Sequence, residues 1–368
     1  MEENFLKKKN VEKEEKKKRG LLFILGKRIR NGRLLFLIVA FLLTLVGLSA
    51  STYAWFTSNY TVSVSEIDVN ISSGAGIQIS TNATDWKSIV TVTDITDNKY
   101  GDAVNQVPTG TAQMNPVSTV ADPDVNATTK TTGLKMYRGT ITNDVTTGTM
   151  YLNSEALTDG ATGNLDYIAF DLFVKSDFKV AKQVYLTGGT GIKAGNPNTQ
   201  IEYAGRMGFV INGNLPSSST ATNLQNIKST AQNSTVIIYE PNYDVHTANG
   251  VQNRNNNYSS YVGAVTESGN ASPATYYGVK AAFSYDSEDT TNHPGIPLDD
   301  TNSARFALVT PSITTTAANT NKTQFVTLQP GVTKMRVYMW IEGQDIDCEN
   351  TASGGQVKFN LGFTVDES

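Results

Sequence analysis

The sequence predicts an all-β protein: an antiparallel β-sandwich or jelly roll with long irregular loops, preceded by one N-terminal hydrophobic helix. Three observations predict it. Leu34 to Phe56 contains no charged residue and, at about 1.5 Å rise per residue, makes a helix of about 34 Å, enough for a hydrocarbon core of about 30 Å. Beyond Tyr60 the apolar residues recur with period two, in about a dozen short runs bounded by Gly, Asn, Asp and Pro. No long helical period follows residue 57, so nothing supplies the crossovers of a parallel sheet.

Residues 1–33 hold 12 Lys+Arg against 5 Asp+Glu, a charge of +7, and the rest of the chain holds 18 against 29, a charge of -11. A basic flank stays on the cytoplasmic side of a membrane. The chain therefore divides into a basic cytoplasmic tail (1–33), a signal peptide or transmembrane helix (34–56) and an extracellular β-sandwich domain (57–368). Within the tail, Leu21 to Arg33 is either a solvated topogenic stretch or a short basic amphipathic segment on anionic lipid. The apolar segment has two fates. Small residues at Ser49, Ser51, Thr52 and Ala54 allow a signal peptidase to cut after Ser51 or Ala54 and release the body; uncut, Tyr53 and Trp55 anchor it at the outer interface.

Thr61 to Ile71 forms the first strand, with Val62, Val64, Val69 and Ile71 on one face and a bulge near Glu66 and Ile67, where the alternation slips. Ile77 to Thr81 alternates again, Asn82 to Asp85 is a turn, and Ser88 to Thr93 is another strand. Asp94 to Thr162 is loop-rich, with short strands at Gly133 to Ile141 and Met150 to Asn153. Strands follow at Leu165 to Val174, Gln183 to Thr187, Arg206 to Asn212 and Thr235 to Glu240, the last stopped by Pro241. A helical turn or two fits Ala221 to Thr230. Asn242 to Pro297 is irregular apart from a strand at Tyr276 to Tyr285, and three strands close the chain at Thr323 to Leu328, Lys334 to Glu342 and Gln356 to Val365. In the second of these the odd positions are core and the even ones, Arg336, Tyr338 and Trp340, make an amphipathic face.

Little in the chain points to a reaction. Its two histidines, His246 and His293, are predicted loop surface residues, and neither a His-Glu-x-x-His zinc motif nor a Gly-x-Ser-x-Gly elbow is present. The predicted protein is not an enzyme. No aromatic platform accompanies the basic tail, so nucleic acid is not a predicted partner. Cys348 is the single cysteine, which rules out an internal disulfide framework and suits a bacterial envelope. Among the acidic clusters, Asp345, Asp347 and Glu349 sit between two strands and offer alternating carboxylates of the kind that hold calcium, the one cofactor the sequence admits. Tyr258, Tyr261, Tyr276 and Tyr277 offer either a carbohydrate- or partner-binding patch or packing residues.

The stretch Ser51-Thr52-Tyr53-Ala54-Trp55-Phe56-Thr57-Ser58, placed after an apolar segment and before a Val/Ile strand, resembles the start of the TasA/camelysin family of exported bacterial surface and biofilm-matrix proteins. Arg336 to Cys348 also resembles a segment recurring in bacterial surface proteins with this start. The resemblance implies a SipW-type signal peptidase cutting between Ala54 and Trp55, a jelly roll, and polymerisation when the new N-terminal strand of one subunit completes the sheet of the next. A strand that can pair with its own sheet or a neighbour's open edge makes the same main-chain bonds in either place. The expected function is therefore a non-enzymatic cell-surface or matrix protein, a possible homopolymer through residues 61–71; the alternative is a surface domain that binds carbohydrate or calcium.

Overall fold

Period-two alternation produces strands, and strands with one apolar face stack in pairs; both steps are visible in the computed structural model. It describes residues 62–71, 76–108, 113–126, 128–143, 150–161, 166–257, 275–283, 305–348 and 356–366, all within one structural unit spanning 53–368. The basic tail, the hydrophobic segment 34–56 and the positions Ala54 and Trp55 lie outside the described residues. No helix among the described residues is long and apolar enough to cross a membrane.

In chain order the strands begin with β1 (Val62–Ile71), β2 (Ile77–Ser80), β3 (Ile89–Val90), β4 (Gln113–Met114), β5 (Val117–Ser118), β6 (Pro123–Asp124) and β7 (Gly133–Leu134). The middle of the chain supplies β8 (Met136–Asn143), β9 (Met150–Leu157), β10 (Ile168–Ser176), β11 (Lys182–Leu186), β12 (Gly191–Ala194), β13 (Gly205–Leu215) and β14 (Thr235–Glu240). It closes with β15 (Tyr276–Val279), β16 (Phe306–Val309), β17 (Ile313–Thr314), β18 (Thr323–Leu328), β19 (Gly331–Ile341) and β20 (Gln356–Val365). Among the described residues three short α-helices interrupt them, α1 (Val92–Thr96), α2 (Ala221–Gln225) and α3 (Ala248–Asn257), together with single turns of 3-10 helix.

Two large sheets form the sandwich. The first has the order β18-β11-β20-β1-β3, with β12 also on β20 and β4 also on β1; the second runs β17-β14-β13-β19-β10-β2. Most pairings are antiparallel, while β1 lies parallel to β20 and β14 parallel to β17. Ile67, Val69, Phe359, Leu361 and Phe363 of the first sheet share one core with Phe170, Leu172, Phe209, Val337 and Met339 of the second. A bulge in β1 between Val64 and Glu66, one residue ahead of its predicted place, resets the alternation. Ile67 and Val69 consequently point into the core while Val64 is half-buried. The side chains of Val62 and Ile71 lie outside those described.

Over the outer face of the second sheet lies further structure: the small sheets β5-β8-β9, β6-β7 and β15-β16. This cover corrects the expectation of an amphipathic outer face on β19. Every residue of that strand is buried, Arg336, Tyr338 and Trp340 included. Gly331 starts β19 at φ +115°, a conformation that L side chains rarely adopt, where the chain passes from the first sheet to the second, and a Cβ there would collide with the Leu215 carbonyl oxygen.

Other expectations need correction. Ser88 to Thr93 is a strand only at Ile89–Val90, because Thr91 and Asp94 form a reciprocal capping box that starts α1. The strand expected at Tyr276 to Tyr285 ends at Val279. Polar α3 falls in a region read as irregular, and β12 and β16 were not predicted. The turn at Ala221 to Thr230 is helical as α2, with Thr220 as its N-cap.

Candidate functional site

Alternation along β19 aims Lys334, Arg336, Tyr338 and Trp340 away from the sandwich core, and its ladders set their neighbours. Asp171 lies opposite Arg336 and Phe173 opposite Lys334 on β10; Arg206 lies opposite Trp340 on β13. Beneath the covering sheets these side chains build two polar clusters.

In the first cluster Arg336 is a fork with two carboxylate partners. Its Nη2 and Nε donate to Asp159 Oδ2 at 2.8 and 3.1 Å, and its Nη1 donates to Asp171 Oδ1 at 3.2 Å. Tyr338 donates to the same Asp159 oxygen at 2.6 Å and accepts from the Leu134 amide at 2.9 Å. A Cβ on Gly133 would collide with this hydroxyl, so glycine lets the cover approach. Lys334 Nζ donates to the carbonyls of Lys130 and Gln225 and lies 3.5 Å from Asp171 Oδ2. Tyr100 and Thr131 donate to that oxygen as well. Burial alone would push the Asp171 carboxyl up; Lys334 and Arg336, with the two hydroxyls, outweigh it and hold the group below the ordinary carboxylate range. Burial also lowers Lys334, with Asp171 opposing.

The second cluster is rich in acids. Arg206 Nη2 lies 2.8 Å from Glu240 Oε1 and also pairs with Asp345. Asp345 Oδ1 accepts from the Asp347 amide at 2.8 Å, while Asp347 accepts from the Thr247 amide at 2.7 Å and lies 2.8 Å from His246 Nδ1. Glu342 accepts from Trp340 Nε1 at 3.0 Å and from the Gln344 amide at 3.1 Å. The Tyr276 ring faces the Arg206 guanidinium at 5.8 Å. Burial pushes Glu342 up to about 7, against the bonds from Ser118 and Trp340. Burial also raises Glu240, opposed by Arg206, and raises Asp347, opposed by His246. Four carboxylates thus share one arginine and one histidine in a region closed to water.

This arrangement redirects several sequence-predicted residues. Asp345 and Asp347 do come together, but they hold Arg206, His246 and backbone amides; Glu349 lies outside the described residues. Among the described residues no group of three His, Cys, Asp or Glu is placed to hold a metal. His246, expected on the surface, is buried because the Asp347 carboxylate draws it under the cover; His293 lies outside the described residues. Tyr276 is likewise buried, donating to Thr119 O at 3.1 Å, and Tyr277 is half-buried, whereas Tyr258 and Tyr261 lie outside the described residues.

Sequence reading missed Asp171, the acid shared by Arg336, Lys334, Tyr100 and Thr131. Its signal was a lone charge inside the apolar run Ile168 to Val174, which in a covered strand marks a paired acid. A separate polar cleft of about 370 Å3 opens beside β12, lined by Lys193, Glu202, Tyr203, Asn242, Thr316 and Asn319 among others. Comparison of the chain with protein-family models, curated proteins and solved structures finds no match.

Proposed function

We propose that this is an exported, non-enzymatic structural or adhesive protein of a bacterial cell surface or extracellular matrix, able to polymerise through β1. The observation that supports this reading is the pairing of β1. It makes eight residue pairs in parallel with β20, from the opposite end of the described chain, while among the described residues its other flank meets only the two-residue strands β3 and β4. A parallel pair needs no hairpin, so the same strand from another copy satisfies the same ladder. Cleavage between Ala54 and Trp55 would free the strand's leading end, and retention of residues 34–56 would tether it to the membrane.

The test combines two measurements on protein from the native cell. The N-terminal residue separates a released chain beginning at Trp55 from an anchored one beginning at Met1. SDS-resistant oligomers should disappear when residues 55–71 are deleted, and a peptide of residues 61–71 should bind the deleted chain. A clean monomer with and without those residues, together with no peptide binding, would remove polymerisation. The cleft beside β12 favours a second reading, a carbohydrate-binding surface domain, for which glycan titration of the intact chain is the check.

A further inference from the structure

We propose that Lys334 and Asp171 condense into an intramolecular amide that covalently joins β19 to β10. The two side chains are diagonal neighbours on one face of an antiparallel pair, since Phe173 stands opposite Lys334 and Asp171 opposite Arg336. Both are 0% exposed, and Nζ lies 3.5 Å from Asp171 Oδ2, which sets the amine beside the carboxyl group it would attack.

Lys334 and Arg336 hold Asp171 ionised, so the condensation begins with one proton passing from the Lys334 ammonium through Tyr100 to Oδ2. That leaves a neutral amine beside a neutral carboxyl, and the remaining surroundings suit the addition that follows. Arg336 Nη1 sits on Oδ1, the oxygen that the amide keeps, and stabilises the charge that gathers there as nitrogen adds to the carboxyl carbon. Two hydroxyls, from Tyr100 and Thr131, donate to Oδ2, the oxygen that departs. Tyr100 also lies 3.3 Å from Nζ and so bridges nucleophile and leaving group, giving protons a path from one to the other. Lys130 O and Gln225 O fix the amine, and the rings of Tyr100 and Phe173 stand 5.5 and 5.8 Å from it. Burial lowers the basicity of Lys334, which favours release of the lone pair.

The balance closes without a co-reactant. A lysine ammonium and an aspartate carboxylate become an amide and one water: the Nζ–Cγ bond forms, the Cγ–Oδ2 bond breaks, and Oδ2 leaves with two protons from nitrogen. Tyr100 and Arg336 end as they began. Two opposite charges are removed from a region of low dielectric, and the released water leaves a closed site.

Intact-mass measurement of the purified, full-length or naturally processed chain decides the matter. The expected mass is one water below that of the corresponding sequence, with protease digestion yielding a branched peptide that links Lys334 to Asp171. Lys334→Arg and Asp171→Ala should each restore the full mass, and Tyr100→Phe should slow the appearance of the lighter species at least tenfold in freshly folded protein. Full mass in wild-type protein held for days at neutral pH would overturn the proposal and leave a plain ion pair. Loss of water mapped to another site would overturn it as well.

Discussion

Glu342 shows what burial does to a single group. Its carboxylate is closed off from water and fixed by Trp340 and Gln344, and burial raises its pKa from the ordinary 4.5 to about 7. Because the folded value lies above the unfolded one, the folded state binds the extra proton between them. The stability Glu342 contributes is fully present below the unfolded value and is lost as pH rises through the folded one. The raised Glu240 and Asp347 act in the same direction. Asp94, held at about 2 with Lys87 and the Thr91 amide outweighing its desolvation, acts oppositely, but only as pH falls below the ordinary aspartate range. The expected outcome is a Tm that declines from about pH 5 to about pH 8 by at least about 3 °C, read by calorimetry at constant ionic strength. Glu342→Gln, which keeps the shape and removes the titration, should flatten that decline. An unchanged slope in the variant would mean that Glu342 is not among the groups responsible. Nothing local to Ile341-Glu342-Gly343 announces this shift, because it comes from the cover laid over the strand.

At the scale of the element, β1 joins local pattern to global consequence. Its bulge puts Ile67 and Val69 into the shared core beside Phe359 and Leu361 of β20. Ile67→Ala should therefore destabilise the protein by about 2–5 kcal/mol, the cost of lost transfer and residual cavity. Val180→Ala, at an exposed position in the turn before β11, should stay within about 0.5 kcal/mol. Urea denaturation with an unchanged slope is the measurement, and equal losses in both variants would contradict the register given for β1. The strand was legible because Val and Ile alternate along it. The bulge could be placed only to within a residue, since the phase slip spans Val64 to Ile67. α1 was misread for a related reason: Val90 and Val92 alternate as in a strand, and the decision rests with the Thr91–Asp94 capping box. α3, composed largely of Asn, Gln and Gly, carries no apolar stripe by which to be read.

The whole molecule has its centre in β19, which is covered on both faces and flanked by β10 and β13 along nearly its full length. Buried strands open only with the global transition, whereas short edge strands open locally. Hydrogen exchange followed by mass spectrometry should find the slowest amides in 332–341, 168–174 and 206–211, with β3, β4 and β17 exchanging orders of magnitude sooner. Faster exchange in β19 than in β18 would contradict this order. Arg336 braces the sheet to its cover through Asp159, while the pairs of Arg206 with Glu240 and of Asp171 with Lys334 and Arg336 tie neighbouring strands within the sheet, and removal of one partner would leave a buried charge uncompensated.

The sequence by itself determined the all-β class, most of the long strands and the alternation that gives each sandwich sheet an inner face. These follow from short-range periodicity and turn chemistry, which neighbouring residues carry. Only the tertiary structure decided that the outer face of the second sheet is buried too. That outcome depends on strands distant in sequence, β5 to β9 and β15 with β16, lying over β19. The same covering turned Arg336 and Tyr338 from a surface pattern into an internal network. It also committed Asp345 and Asp347, which looked like free carboxylates, to Arg206 and His246. Periodicity reports which residues share a face; what comes to lie against that face is set by contacts between segments more than a hundred residues apart.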